Sequence, residues 1–456
     1  MKSRIIPGAV TPTSLRGLLL SDGAAALSTA PAAAVTLTPL PGSTDFASEL
    51  AKHHIQLYAF EVTGLGENTV VELIAPGSPV VRVRTLETNP DQVTFVVASC
   101  YYDGFHQDRR YLAGLAYKGL GTPAFKLLVG DNVYMDVTPD EKTVWGGYPE
   151  TIRNYARYFW RSGYGDVLST LPTFTTWDDH EFWNNFPEDQ CHLQRTTDRY
   201  RAEYTRAGRE CLDLFQATLN PPAKSGRSYE FSAGRLSFFV ADIRSNRKER
   251  KSGSDSMFSE PELQALEAWA KTPDVTKVLV LGQPLWSKDG GASDYGPPDF
   301  GRQYAQIWDA VARAPGKMVV ISGDVHHSRL LEISTTAGSV LEFVSSPACH
   351  IPTVATIPFG GWKQGEGSID LPGKLKLGNG LNPKIVHYFF GTNARNSIGV
   401  LSFGNLRQGP VKVSAAFLDL ESASALPPIS MNASIEGAEH EPEIGVCKGM
   451  DLFKMG

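Results

Sequence analysis

The 456-residue chain has little cysteine. Its five cysteines, Cys100, Cys191, Cys211, Cys349 and Cys447, are widely spaced and odd in number. That pattern argues against a disulfide framework, and Cys191 with Cys211 is the single pairing worth considering. No apolar run approaches the roughly 20 residues that span a bilayer, so no membrane span is expected. Basic residues are not in excess: the formal net charge is −6, and neither half is strongly basic. Nucleic acid is therefore not an expected partner. A mildly acidic chain still binds phosphate esters when metal ions supply the local positive charge. No internal repeat is evident, and oligomeric state is unknown at this level. The N-terminal apolar stretch is broken by Pro7, Pro12, Arg16 and Asp22, which makes a poor signal peptide. On that reading the protein is cytoplasmic, or secreted or periplasmic if a signal was removed before the numbering begins.

What is present is ordinary globular composition, 42% hydrophobic and 20% charged, long enough for a large core and more than one domain. Residues 1 to about 34 are rich in Ala, Pro, Ser and Thr, with weak periodicity. From about 35 to 92 the rhythm is β-like. HIQLYAFEV and VVRVRTLE alternate apolar with polar, and Gly-Glu-Asn and Pro-Gly-Ser turns separate them. A small antiparallel β-sandwich is expected there.

Beyond residue 92 buried strands alternate with helices. VTFVVASC (93–100), FKLLVGD (125–131), TFTTWDD (173–179), LSFFVADIR (236–244), VLVLGQP (278–284) and MVVISGDV (318–325) read as strands. Helices are expected around 107–118, 149–163, 195–219 and 302–313. Another follows Ser259 and Glu262, whose S-x-x-E spacing is a capping box. This alternation indicates a layered α/β domain. Its strands end in polar residues: Cys100, Asp131, Asp178 with Asp179, Asp242, Gln283, and Asp324 with His326. Ligands of α/β sheets bind beyond the carboxyl ends of the strands, so these tips are expected to meet in one cleft.

Each piece alone has a plainer explanation. A strand followed by Gly-Asp, as at Asp131, is a common turn, and Tyr134 is a natural packing residue. Neighbouring Asp178 and Asp179 repel each other unless cations offset them, yet aspartates also favour helix N-termini. Asp324 and His326, two apart, would point the same way on extended backbone. The buried Cys100 is an inert hydrophobe in most settings, whereas as a thiolate it favours iron or zinc over calcium or magnesium. Arg244 has a planar fork suited to phosphate, and Asp242 is placed to orient it or to bind metal. The basic run from Arg247 to Lys251 reads as a solvated loop.

Taken together, ASCYYDG (98–104), GDNVYMD (130–136), TWDDHEFWNN (176–185), ADIRSNR (241–247) and SGDVHHS (322–328) resemble the PhoD-like alkaline phosphatases, a branch of the calcineurin-like metallophosphoesterases. The resemblance implies a four-layer α/β/β/α core and hydrolysis of phosphate monoesters and diesters by a metal-activated hydroxide. It makes Cys100, Asp131, Tyr134 and His326 ligands of an iron, Fe(3+). Asp131 would bridge to a second metal, Ca(2+), held also by Asp179 and Asp324, with zinc, manganese or magnesium as alternatives. Asp178 would ligate or stand beside the ligands. Asn184 and Asn185 would contact metal or phosphate. His180 would stabilise the transition state or protonate the leaving group, and Arg244 would bind substrate. The expected division is 1–92 (N-terminal segment and sandwich), 93–420 (catalytic) and 421–456 (a tail able to cover the site). Two other readings stay open. One is a phospholipase-D-like or pathway-specific enzyme with larger substrates, selected by loops 186–235, 285–300 and 350–385. The other is an inactive binding or scaffold protein on the same fold.

Overall fold

The structure is a computed structural model. It describes residues 1–105, 108–136, 148–161, 163–188, 201–250, 256–273, 275–287, 295–316, 318–349, 362–366, 380–391, 396–420, 424–425 and 429–432.

The N-terminal part contains β1 (Ser3–Val10), β2 (Ser14–Ser21), β3 (Ser28–Ala30), β4 (Ala34–Pro39), α1 (Thr44–Lys52), β5 (Gln56–Thr63), β6 (Val70–Ile74) and β7 (Val81–Arg84). They form two antiparallel sheets, β1-β2-β5-β4 and β3-β6-β7. The first 34 residues, which gave no clear period, supply β1 and β2. Both strands are buried on nearly every residue, so neither shows the alternation of a half-exposed strand.

After residue 92 come β8 (Val93–Ala98), α2 (Asp108–Leu115), β9 (Phe125–Val129), α3 (Tyr148–Ala156), α4 (Tyr164–Leu168), β10 (Thr173–Thr176), α5 (Arg201–Cys211), β11 (Tyr229–Ala233), β12 (Leu236–Val240), α6 (Glu260–Ala270), β13 (Thr276–Val280), α7 (Gly301–Ala312) and β14 (Met318–Ser322). After β14 comes a mainly antiparallel group that no alternation of strand and helix marks in the sequence. It consists of β15 (Arg329–Ser334), β16 (Ser339–Val344), β17 (Trp362–Glu366), β18 (Lys384–Gly391), β19 (Ser397–Gly404), β20 (Lys412–Asp419), β21 (Ser424–Ala425) and β22 (Ile429–Asn432). At the start of α6 the capping contact is present: the Glu262 carboxylate accepts from the Ser259 hydroxyl at 2.6 Å and from its N–H at 3.3 Å.

Two large mixed sheets form the centre. One runs β10-β9-β8-β19-β20-β21, with β22 also paired to β20, and the other runs β11-β12-β13-β14-β16-β15-β18-β17. The period of two along each strand decides the layers. In β8, Phe95 and Val97 face the opposite sheet while Val96 and Ala98 face α2–α4. In β13, Val278 and Val280 face inward while Leu279 joins the layer with α6 and α7. Phe95 and Phe125 of one sheet meet Phe238 of the other, with ring centroids 5.6 and 5.8 Å apart. The result is the expected α/β/β/α arrangement. Side chains of β1, β2, β5, β6 and β7 join the same inter-sheet cluster, so the N-terminal sheets share a core with the strands beyond residue 92.

Strands β8, β9 and β10 are mutually parallel, as are β12, β13, β14 and β16. Their carboxyl ends are where the polar residues fall. Cys100, Cys211 and Cys349 are buried cysteines in no disulfide, and Cys191 lies outside the described residues. Among the described residues no helix is long and apolar enough to cross a membrane. Apart from β21 and β22, the C-terminal tail lies outside the described residues, as does most of loop 350–385.

Candidate metal centre

The tips of β8, β9 and β14 leave regular geometry abruptly. Cys100, Asp131, Asp324 and His326 have φ of 56, 53, 68 and 52°, and Asn185 has φ of 63°. A non-glycine residue in the left-handed region is uncommon, and such residues concentrate at functional sites. Asp324 and His326 therefore do not share a face through extended backbone, as their spacing suggested. A left-handed turn aims them instead. Gly130, at φ 94°, makes the bend before Asp131, where an added Cβ would lie 2.8 Å from the Asp178 Cβ.

These turns bring three overlapping donor groups together: Cys100 with Asp131 and His326, Asp131 with Asp179 and His180, and Asp178 with Asp179 and Asp324. Within each group the donor atoms lie within 4.8 Å of one another. The Cys100 thiol is 3.4 Å from Asp131 Oδ2. The Tyr134 hydroxyl is 3.4 Å from His326 Nε2, and the Tyr134 ring lies against His180 with centroids 4.2 Å apart. All the sequence-selected residues except Asp242 thus gather at one place or beside it. Asp242 instead caps its own turn, accepting from the N–H groups of Arg244 (3.0 Å) and Ser245 (2.8 Å).

The acidic cluster is dense, with Asp131, Asp178 and Asp179 buried and Asp324 half-buried. Burial, followed by Cys100, pushes the Asp131 carboxyl well above its usual range, although His180 opposes the shift. Burial also raises Asp178 against the pull of Arg244. At Asp179 burial is outweighed by Arg244, His180 and the Asn185 N–H, and the carboxyl sits at about 2. Burial lifts the Cys100 thiol to about 12. Burial disfavours the His180 cation, yet Asp136, Asp179 and Asp131 together hold its pKa well above the usual histidine value.

Arg244 meets a different fate from the one its sequence position suggested. Its Nε and Nη2 donate to the two oxygens of Asp178, both at 2.8 Å, and Nη1 donates to the Phe186 carbonyl at 2.8 Å. The guanidinium is 2% exposed. The fork expected to grip substrate is already filled, and both Asp178 oxygens are engaged by it.

The half-buried Asn184 and Asn185 act in the structure through their backbones. Asn184 N–H donates to Asp136 at 2.8 Å, and Asn185 N–H donates to Asp179 Oδ2. Sequence reasoning missed Asp136, which pairs with His180 Nδ1 at 2.7 Å. It also gave no role to Glu181. This buried carboxylate accepts from the N–H groups of Asp131 (3.1 Å), Asn132 (2.7 Å) and Asp178 (2.9 Å), binding the β9 and β10 tips together. Asp136 ends the quoted GDNVYMD motif, so the motif contained it without marking it.

Residues 95–283 match the family described as PhoD-like phosphatase. The resemblance to that family holds. The PhoD-like stretch carries Cys100, Asp131, Tyr134, the WDDHE run and Arg244, while Asp324 and His326 are brought in from beyond it by the fold. A solved structure of PhoD aligns with TM-score 0.61 at 16% identity, covering 97% of this chain and 93% of that one. Purple acid phosphatase PPD1 from yellow lupin (Lupinus luteus) seeds aligns with TM-score 0.55 at 9% identity, covering 97% and 77%. At these identities the likeness is one of fold. No curated protein matches the chain.

The PhoD-like phosphatase match over residues 95–283 supports a phosphoesterase, and the donor groups are of a kind that holds a metal cofactor. The residues fit one. Asp179 Oδ1 is buried without a hydrogen-bond partner, beside two further carboxylates of its own donor group. Arg244 Nη2 lies 4.0 Å from it, beyond hydrogen-bond reach, and a buried ionised oxygen with no hydrogen bond is costly unless a cation meets it closely.

Proposed function

We propose that the chain hydrolyses phosphate esters, as monoesterase and diesterase, with two cations held by the tips of β8, β9, β10 and β14. The observation that carries this is the overlap of the donor groups at Asp131, together with the buried Asp179 oxygen that accepts no hydrogen bond. Cys100, Asp131, Tyr134 and His326 form a set with sulfur, phenol and imidazole donors, which suits iron. Asp131, Asp179 and Asp324, drawn from two donor groups that overlap at Asp179, would supply an all-oxygen set, which suits calcium or another hard cation. Asp178 holds Arg244, and that pair steadies the acidic floor from below.

When bound, such cations neutralise the phosphate and lower the pKa of water, supplying a nucleophile near neutral pH. The chain's own contribution is positional. Asp131 stands in two donor groups and so ties them into one centre. Asp136 occupies Nδ1 of His180 and sustains its protonated form, which leaves Nε2 as the nitrogen able to hand a proton to a departing alkoxide. Asn185 N–H fixes one oxygen of Asp179 and leaves the other for the centre. Glu181 holds the Asp131 and Asp178 backbones at a common spacing. Tyr102 and Tyr134, edge to face with ring centroids 6.1 Å apart, pack with Cys100 in one buried cluster.

The test is elemental analysis of protein purified without chelators, alongside rates on a nitrophenyl monoester and a bis-nitrophenyl diester. Two equivalents of metal and turnover of at least one ester are expected. In Asp131→Asn the fold persists while metal and activity are lost. Full activity in that variant overturns the assignment. Two bound metals with no hydrolysis of any phosphate ester point instead to a binding protein on this fold.

A further inference from the structure

Arg247 belongs to the basic run 247–251 that reads as solvated, yet it is 4% exposed. Its Nε donates to the Ile243 carbonyl at 3.1 Å and Nη1 to the Tyr295 carbonyl at 3.1 Å. Its Nη2 donates to Gln283 Oε1 at 2.7 Å. The guanidinium lies over the Phe300 ring, 4.9 Å from its centroid. Gln283, also buried, follows β13, and its Nε2 donates to Asp324 Oδ2 at 3.1 Å. The two strand tips are tied by their backbones as well, Gly323 N–H to the Gly282 carbonyl at 3.0 Å.

The chemistry of the three groups fixes their order. A guanidinium only donates, an amide has one accepting and one donating end, and an ionised carboxylate only accepts. With Arg247 on one side, the Gln283 oxygen has to face it, and the amide nitrogen has to face Asp324. Without Arg247 the amide would be free to turn over and set its oxygen against the carboxylate. Asp324 sits on a left-handed turn, so its side-chain direction is not settled by a strand.

We infer that Arg247 and Gln283 are positioning residues for Asp324, holding one of its oxygens so that the other is presented to the cation shared with Asp179. The inference rests on the two-cation reading above and adds a specific consequence to it: the Asp179–Asp324 cation should depend on the Arg247–Gln283 pair, and the Cys100–His326 cation should not. Outer partners of metal ligands typically matter by about 10- to 100-fold in metal affinity.

The experiment is calorimetric titration of the chelated protein with calcium and with manganese, and elemental analysis after dialysis. It uses the wild type, Gln283→Met, Arg247→Met and the double variant, with folding checked by circular dichroism. Gln283→Met keeps the side-chain length and removes the donor. It is expected to weaken one cation by about 10- to 100-fold and to leave the second in place. Arg247→Met is expected to act in the same direction by less. The double variant is expected to bind within about 2-fold of Gln283→Met, since both act through one contact. If Arg247→Met does not fold, Arg247→Lys, which keeps the charge without the planar fork, replaces it. Unchanged affinity in Gln283→Met, equal loss of both cations, or additive effects in the double variant overturns the positioning role and leaves the two-cation reading standing. A wild type that binds no cation overturns the reading itself.

Discussion

At the scale of single residues, the centre is a set of charges that are unfavourable unless each finds its partner. Removing Arg244 tests this directly. Arg244→Met leaves Asp178 buried without its fork, and breaking a buried pair in this way costs about 3–5 kcal/mol. Chemical denaturation should show that loss, and a change under about 1 kcal/mol, as for a surface pair, would place the ion pair outside the stabilising core. Asp136→Asn should separate leaving-group chemistry from binding. It keeps a hydrogen-bond acceptor near His180 Nδ1 and removes the charge that sustains the imidazolium. An alkyl phosphate, whose alkoxide needs a proton, is expected to slow by about 10- to 100-fold, while a nitrophenyl ester changes little. Equal slowing of both would show that His180 does not protonate the leaving group. A third expectation concerns pH. Burial holds the Cys100 thiol at about 12, and metal binding requires its thiolate, so loading releases protons. Metal affinity should therefore rise between pH 6 and pH 8, and a pH-independent affinity would remove Cys100 from the ligands.

At the scale of elements, the turns matter more than the strands. The strand tips were readable because an apolar run buried on both faces followed by Asp or Cys is conspicuous, as at Val129–Asp131 and Ser322–Asp324. What the turns do was not readable. Asp324 and His326 converge through left-handed backbone, which sequence spacing does not encode. Arg244 meets Asp178 across 66 residues, so its filled fork was invisible next to the basic run. Arg247 looked solvated because charge density along the chain says nothing of the Phe300 ring and the carbonyls that bury it. Gly130→Ala probes the turn at the tip of β9. The left-handed φ costs a residue with a Cβ about 1–2 kcal/mol, and crowding against Asp178 adds about 1–3 kcal/mol. Thermal unfolding should fall accordingly, with metal binding weakened in parallel. A variant as stable and as metal-loaded as the wild type would show that the Gly130 bend is not what aims Asp131.

At the scale of the whole molecule, two sheets face each other through aromatic side chains and are covered outside by helices. The alternation of buried strands and helices up to residue 325 made this legible. The antiparallel strands after it, and β1 and β2 before it, were not read in advance. β1 and β2 lack the alternation that marks a strand with one wet face, because both of their faces are covered. Their burial in the shared clusters makes the N-terminal sheets part of the support for the centre, through the same core that holds β8 and β9.

The central claim is that residues remote along the chain hold two cations at one place. Diffraction at metal absorption edges, on crystals of chelator-free protein, addresses it most directly. The account predicts two anomalous peaks, one bonded to Cys100, Asp131 and His326 and the other to Asp131, Asp179 and Asp324. Protein that hydrolyses phosphate esters while showing no ion at either position would contradict it.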